Sequence, residues 1–112
     1  MKKKIYIAGK VTGEPKHTTA LKFATAKKEI EALGFEAINP IEVVGDWNAP
    51  WELAMRKCIA ALMECDAIVL LPDWISSPGA EHERHLASTV GIQIFNFSKD
   101  GLQVLKKNLW NN

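Results

Sequence analysis

"AIVLL", residues 67–71, is the most hydrophobic run in the chain, and Pro72 ends it. Five consecutive apolar residues are too few for a helix and show no alternation. A strand buried on both faces reads this way, so residues 67–71 are predicted to form the central strand of a sheet. Downstream, Ser77-Pro78 opens a helix that runs to about Val90, Ile92 to Phe95 reads as a further strand, and Gly101 to Leu109 as a terminal helix. Upstream, Trp51, Ala54, Met55, Cys58, Ala61, Leu62 and Cys65 form one helical stripe, with Pro50 as its first helical residue.

Further upstream the same alternation continues. Phe35 to Ile38 is a short strand stopped by Asn39-Pro40, and the stretch on to Pro50 reads as a long loop holding Gly45, Asp46 and Trp47. Phe23, Ala26, Ile30 and Leu33 recur at steps of 3, 4 and 3, and Gly34 closes that helix. Ile5 to Ala8 is another continuous apolar run, followed by the loop Gly9 to Gly13. Buried strands separated by helices require a parallel sheet covered on both faces. With right-handed crossovers this gives a small doubly wound α/β fold. The expectation is a flavodoxin-like or Rossmann-like three-layer sandwich with four to five parallel strands, one domain spanning residues 1–112. In such folds ligands bind beyond the C-terminal strand ends. Three segments meet there: Gly9 to Gly13, the loop after Asn39, and Pro72 to Gly79.

Composition narrows the function classes. The chain has 112 residues, 47% apolar and 24% charged, with a net charge of +1. That balance suits a globular domain and supplies no large field for polymeric nucleic acid or an anionic membrane. The opening Met-Lys-Lys-Lys is followed only by Ile5 to Gly9 before Lys10, too short an apolar run for a signal sequence or a membrane span. A cytoplasmic location is therefore expected. Cys58 and Cys65, seven apart on one predicted helix, are about 10 Å from each other, so no disulfide is expected. "HERH" is one residue short of the zinc-protease spacing, and no metal site is predicted.

One residue breaks the pattern. In "SSPGAEHERHLA", residues 76–87, Ser77 is the N-cap and Pro78 the first helical residue. Steps of three and four from Ala80 reach Glu83, and from Glu83 reach Leu86, Ala87 and Val90. Glu83 thus lies on the stripe facing the sheet, while Glu81, Arg84, His85 and Ser88 share the other side. A carboxylate aimed inward has to be paired, hydrogen-bonded or facing a cavity. Two readings stay open: a structural glutamate, or a catalytic group at the crevice with Gly79 and Ala80 kept small for a ligand. The loop Gly9-Lys10-Val11-Thr12-Gly13 lacks both dinucleotide and P-loop spacing, and reads either as a close approach to ligand or as a plain turn. Trp47, Trp51 and Trp74 sit around the predicted crevice, as a stacking platform for a base or as an interface between copies.

Three stretches, "KIYIAGKVTG" (4–13), "ECDAIVLLPDW" (64–74) and "SSPGAEHERHLA", resemble the nucleoside 2-deoxyribosyltransferase superfamily. They resemble more closely still the small phage and bacterial domains grouped beside those enzymes. The resemblance spans residues 4 to about 95. It implies that Glu83 is a nucleophile that attacks the sugar anomeric carbon, displaces the base and forms a glycosyl ester. Water or a second base then resolves the ester. It also implies a site role for Tyr6, while Gly9, Lys10, Gly13, Gly79 and Trp74 are expected to line the substrate site from their places around the crevice. Ser77 occupies the position where relatives acting on free nucleosides carry an aspartate and the deoxynucleoside 5'-monophosphate N-glycosidases carry a phosphate-binding serine. A serine at a helix N-terminus suits an anion, whereas capping its own helix is the plainer role.

The chain departs from the pattern at Cys58, where superfamily enzymes place an aspartate that positions the sugar or protonates the base. A thiol on an apolar stripe is a poor acid. Asp73 is the candidate replacement, with Asp46 as another. The resemblance further implies a small-molecule nucleoside or nucleotide as ligand, homo-oligomers with sites near subunit contacts, and no metal or organic cofactor. The leading expectation is an N-glycosidase or deoxyribosyltransferase. The alternative is a nucleotide-binding or sensing module that kept the fold and lost the acid. A purely structural oligomer would leave Glu83 unexplained.

Overall fold

The computed structural model describes residues 2–110. Its elements follow in the order β1 (Lys4–Ala8), α1 (Lys16–Ala32), β2 (Glu36–Ile38), α2 (Pro40–Val44), α3 (Trp51–Met63), β3 (Ala67–Leu70), α4 (Pro78–Val90), β4 (Gln93–Asn96) and α5 (Lys99–Trp110), with a 3-10 turn at Trp74–Ser76. The four strands form one sheet in the order β2-β1-β3-β4, and every neighbouring pair is parallel. The doubly wound three-layer fold expected from the sequence is the one that forms.

Residue parity along the strands assigns the two faces. Ile5 and Ile7 of β1 join Ala67 and Val69 of β3 in a core closed by Phe23, Ala26 and Ile30 of α1 and by Leu105 and Leu109 of α5. Tyr6 and Ala8 join Ile68 and Leu70 in a second core under Cys58 and Leu62 of α3 and Ala80 and Ala87 of α4. The register pairs Ile5 with Ala67 and Tyr6 with Ile68, so side chains of like parity share a face. Burial of each large apolar side chain on β3 contributes about 1.5–3 kcal/mol, which explains why the most hydrophobic run sits in an interior strand. Because Tyr6 is an even position, it points into the layer where α4 carries Glu83.

Several boundaries differ from expectation. The stretch after Asn39 holds the short helix α2: Asn39 caps it through the Ile41 amide, Pro40 starts it, and Gly45 closes it at φ 70°. Pro50 is the N-cap of α3 rather than its first residue, and Cys65 lies two positions beyond the helix end. Both cysteines are free and buried. On α4 the inward stripe is Ala80, Glu83 and Ala87, whereas Val90 is exposed because it sits at the helix end beyond the sheet.

At the β4–α5 turn the backbone leaves no room for a side chain on Gly101. A Cβ built on Gly101 would stand 1.9 Å from the Asn96 carbonyl oxygen, a backbone atom that cannot swing away. Gly101→Ala would gain about 1 kcal/mol of helix propensity but has to displace that turn. We expect a net loss of about 2 kcal/mol and a melting temperature lower by roughly 10 °C. A thermal melt followed by circular dichroism tests this, and an unchanged or higher midpoint would show that the turn yields freely.

Candidate active site at the strand ends

The connection leaving β1 runs to one face of the sheet and that leaving β3 to the other, which opens a crevice between the two strand ends. A cavity of about 650 Å³ occupies it. Its floor is Tyr6, Cys58 and Glu83, and its walls are the 9–14 loop, α2, the start of α3 and the start of α4.

At the floor the Tyr6 hydroxyl donates to Glu83 Oε2 at 2.6 Å. Tyr6 is fully buried and Glu83 is 5% exposed. Burial pushes the Glu83 carboxyl up to about 7, although the Tyr6 bond pulls it part of the way back. Burial and the neighbouring Glu83 charge hold the Tyr6 phenol well above its ordinary value. The Cys58 thiol on the same floor is raised by burial to about 11. At neutral pH the floor therefore holds a protonated phenol, a protonated thiol and a carboxyl divided between its two forms. The Tyr6 bond fixes one carboxylate oxygen, and among the described residues no side chain or backbone group hydrogen-bonds Oε1.

Ser77 is buried at the start of α4, where its Oγ accepts from the Ala80 amide at 3.1 Å. That is ordinary capping, and it leaves the hydroxyl hydrogen free to donate. Pro78 has no amide hydrogen, so Gly79 presents the first amide of a thirteen-residue helix. Gly79 is small for a packing reason as well: a Cβ there would lie 3.1 Å from Met55 Sδ of α3. Gly9 is required in the same way, since its Cβ would stand 2.7 Å from Leu71 Cδ1. Gly13, at φ +82°, turns the loop toward α1.

The structure thus brings Tyr6, Gly9, Lys10, Gly13, Ser77, Gly79 and Glu83 to one cavity. It does not bring Asp73 or Trp74 there. Asp73 is committed elsewhere, accepting from the Lys10 amide at 3.0 Å and from Lys22 Nζ at 2.6 Å. Burial alone would raise its carboxyl, but these two donors outweigh that and hold it below its ordinary value. A carboxylate so held is a poor proton donor, and Asp73 does not line the cavity. The 3-10 turn carries Trp74 back over α4, where its ring packs on the second core with the Arg84 guanidinium 5.2 Å from its centroid. Trp47 and Trp51 do line the cavity, each a little over two-fifths exposed.

Sequence reasoning missed Ile41 and Val44 of α2, which form part of the wall, and Glu14 and Lys16 at the loop's end. The α2 signal was present in Asn39-Pro40 followed by Gly45, a cap, a first residue and a terminator within seven positions. Apart from Glu83, the carboxylates lining the cavity are Glu14 and Asp46, and Asp46 Oδ1 accepts from the Asn48 amide. Among the described residues no group of three His, Cys, Asp or Glu side chains could hold a metal ion, and no helix is long and apolar enough to cross a membrane.

A parallel α/β domain with a buried carboxyl at its strand-end crevice is a doubly wound fold, and that crevice is where such folds place their ligands. The chain itself belongs to the family described as a domain of unknown function, DUF4406, whose model matches residues 3–96. No curated protein matches it. Among solved structures it is similar to a 2-desoxiribosyltransferase from Leishmania mexicana, with a TM-score of 0.63 and 22% identity over 86% of this chain. The chain spans 64% of that protein's length.

Proposed function

We propose that this protein cleaves the N-glycosidic bond of deoxynucleosides or deoxynucleoside 5'-monophosphates, with Glu83 as nucleophile. The observation that carries the reading is the Tyr6–Glu83 pair at the floor of the cavity. A buried carboxylate with one oxygen fixed and the other unbonded is set up to attack an electrophilic carbon. Oε1 bonds to the sugar anomeric carbon as the C–N bond breaks, and that bond's electron pair leaves with the base. Water or a second base then attacks the anomeric carbon, and the bond between the sugar and Glu83 Oε1 breaks with its electron pair returning to the carboxylate. The proton released by the acceptor passes to the departed base anion. Ser77, Gly79 and the start of α4 suit the 5' end of the substrate, and an anion there gains from the helix dipole. Trp47 and Trp51 supply aromatic faces for the base. The fold shared with the Leishmania mexicana enzyme supports the same reading.

Cys58 favours a second reading, a nucleotide-binding module without turnover. Its thiol stays protonated and weakly acidic where the resemblance calls for an aspartate. Proton NMR of the protein with the four common deoxynucleoside 5'-monophosphates separates the two. Loss of the anomeric signals with appearance of free base is the expected result. Shifted or broadened signals without loss would establish binding alone, and unperturbed signals would exclude this substrate class.

A further inference from the structure

Beyond β1, the 9–13 loop has left the sheet, so its peptide groups have no ladder partners. Its second residue, Lys10, is nonetheless held through both of its backbone polar groups. The Lys10 amide donates to Asp73 Oδ1 at 3.0 Å, and the Lys10 carbonyl accepts from Lys22 Nζ at 2.8 Å. Lys22 also donates to Asp73 Oδ2 at 2.6 Å, which closes a ring of three bonds among α1, the loop and the segment after β3. Within the loop the next backbone bond is Glu14 to the Val11 carbonyl at 3.2 Å. Lys10 to Gly13 line the cavity, whereas Lys22 and Asp73 do not.

We propose that Lys22 and Asp73 are positioning residues: they latch the 9–13 loop in the conformation that meets the ligand, without touching the ligand themselves. The proposal rests on the glycosidic-cleavage reading only for the identity of that ligand. The arrangement differs from an ordinary surface ion pair in two respects. Both carboxylate oxygens of Asp73 are used, and the ammonium of Lys22 bonds a backbone carbonyl as well as the carboxylate. Both side chains remain a little over one-quarter exposed, so their worth to global stability is small. Their worth to the loop is larger, because the latched state is the one competent to bind.

If the latch is removed and the loop is competent only a tenth of the time, apparent affinity falls by about tenfold. Lys22→Met keeps the aliphatic stem and removes the ammonium, and Asp73→Ala removes both acceptors. Each is expected to raise KM about tenfold, to change kcat less than about twofold, and to leave Tm within a few degrees of wild type. Hydrogen exchange at the Lys10 amide, read by nitrogen-15 NMR, is expected to accelerate in both variants. Lys22→Arg restores the donors, so it is expected to recover most of the KM. The double variant is expected to be no worse than the weaker single one, because the two residues act as one device.

The exchange readout needs no substrate, so the two readings fail separately. If wild type turns over and KM is unchanged in Lys22→Met, the latch is wrong and the cleavage reading stands. If wild type turns over none of the four nucleotides, the cleavage reading falls. Exchange at Lys10 then decides the latch alone: acceleration in both variants upholds it, and an unchanged rate overturns it.

Discussion

Replacing Glu83 by glutamine is expected to lower glycosidic cleavage on the order of a thousandfold or more while the protein stays folded. Glutamine keeps the size of the side chain and keeps an oxygen that accepts from the Tyr6 hydroxyl. What it removes is the negative oxygen able to bond the anomeric carbon. Alanine is the poorer probe, because it would leave the fully buried Tyr6 hydroxyl without its acceptor, at a cost of about 1–3 kcal/mol. Lost activity in that variant could then be lost structure. The anomeric NMR assay with Glu83→Gln, run beside a thermal melt, keeps the two apart. Retention of more than about a tenth of wild-type turnover would remove Glu83 from the chemistry and return it to a structural role.

The odd glutamate could be read from spacing alone, and the reason is geometric. α4 is anchored by Ser77-Pro78, so its phase is fixed and Glu83 has to fall between Ala80 and Ala87 on the inward face. The strands were legible for a similar reason, since continuous apolar runs between helices admit few arrangements. What the sequence could not show is how loops choose partners. Asp73 follows the central strand and looked as available as any acid. Only the position of Lys22, fifty-one residues earlier on α1, decides that its carboxylate is bound. Trp74 was misplaced because a single 3-10 turn redirects its ring, and periodicity says nothing about one turn. The inward direction of Tyr6 was fixed by strand parity, but its contact with Glu83 is a matter of distance across two elements and needed the structure.

The burial of Glu83 also makes stability depend on pH in a direction opposite to that of a salt-bridged carboxylate. Its carboxyl ordinarily titrates at 4.5 and here at about 7. Below pH 4.5 both folded and unfolded chains carry the proton, and burial has no ionic cost. Between 4.5 and about 7 the unfolded chain releases the proton while the folded chain retains it, so stability falls as pH rises. Above about 7 both forms are ionised and the loss levels off, at about 3 kcal/mol in all. The other shifted groups act outside this window. Asp73, held low, adds stability that is lost only as pH falls into the acid range. Cys58, Cys65 and Tyr6, all raised, begin to matter only above about pH 9. Urea unfolding at pH 5 and pH 8 is therefore expected to show wild type losing about 2–3 kcal/mol and Glu83→Gln losing little of it. Equal pH slopes in the two proteins would show that Glu83 is ionised in the fold at ordinary pH. The same group ties this result to activity. Only the carboxylate attacks, so kcat/KM in the wild type is expected to rise with pH through about 7 and then level off. The ionisation that costs the fold stability is then the one that makes the nucleophile.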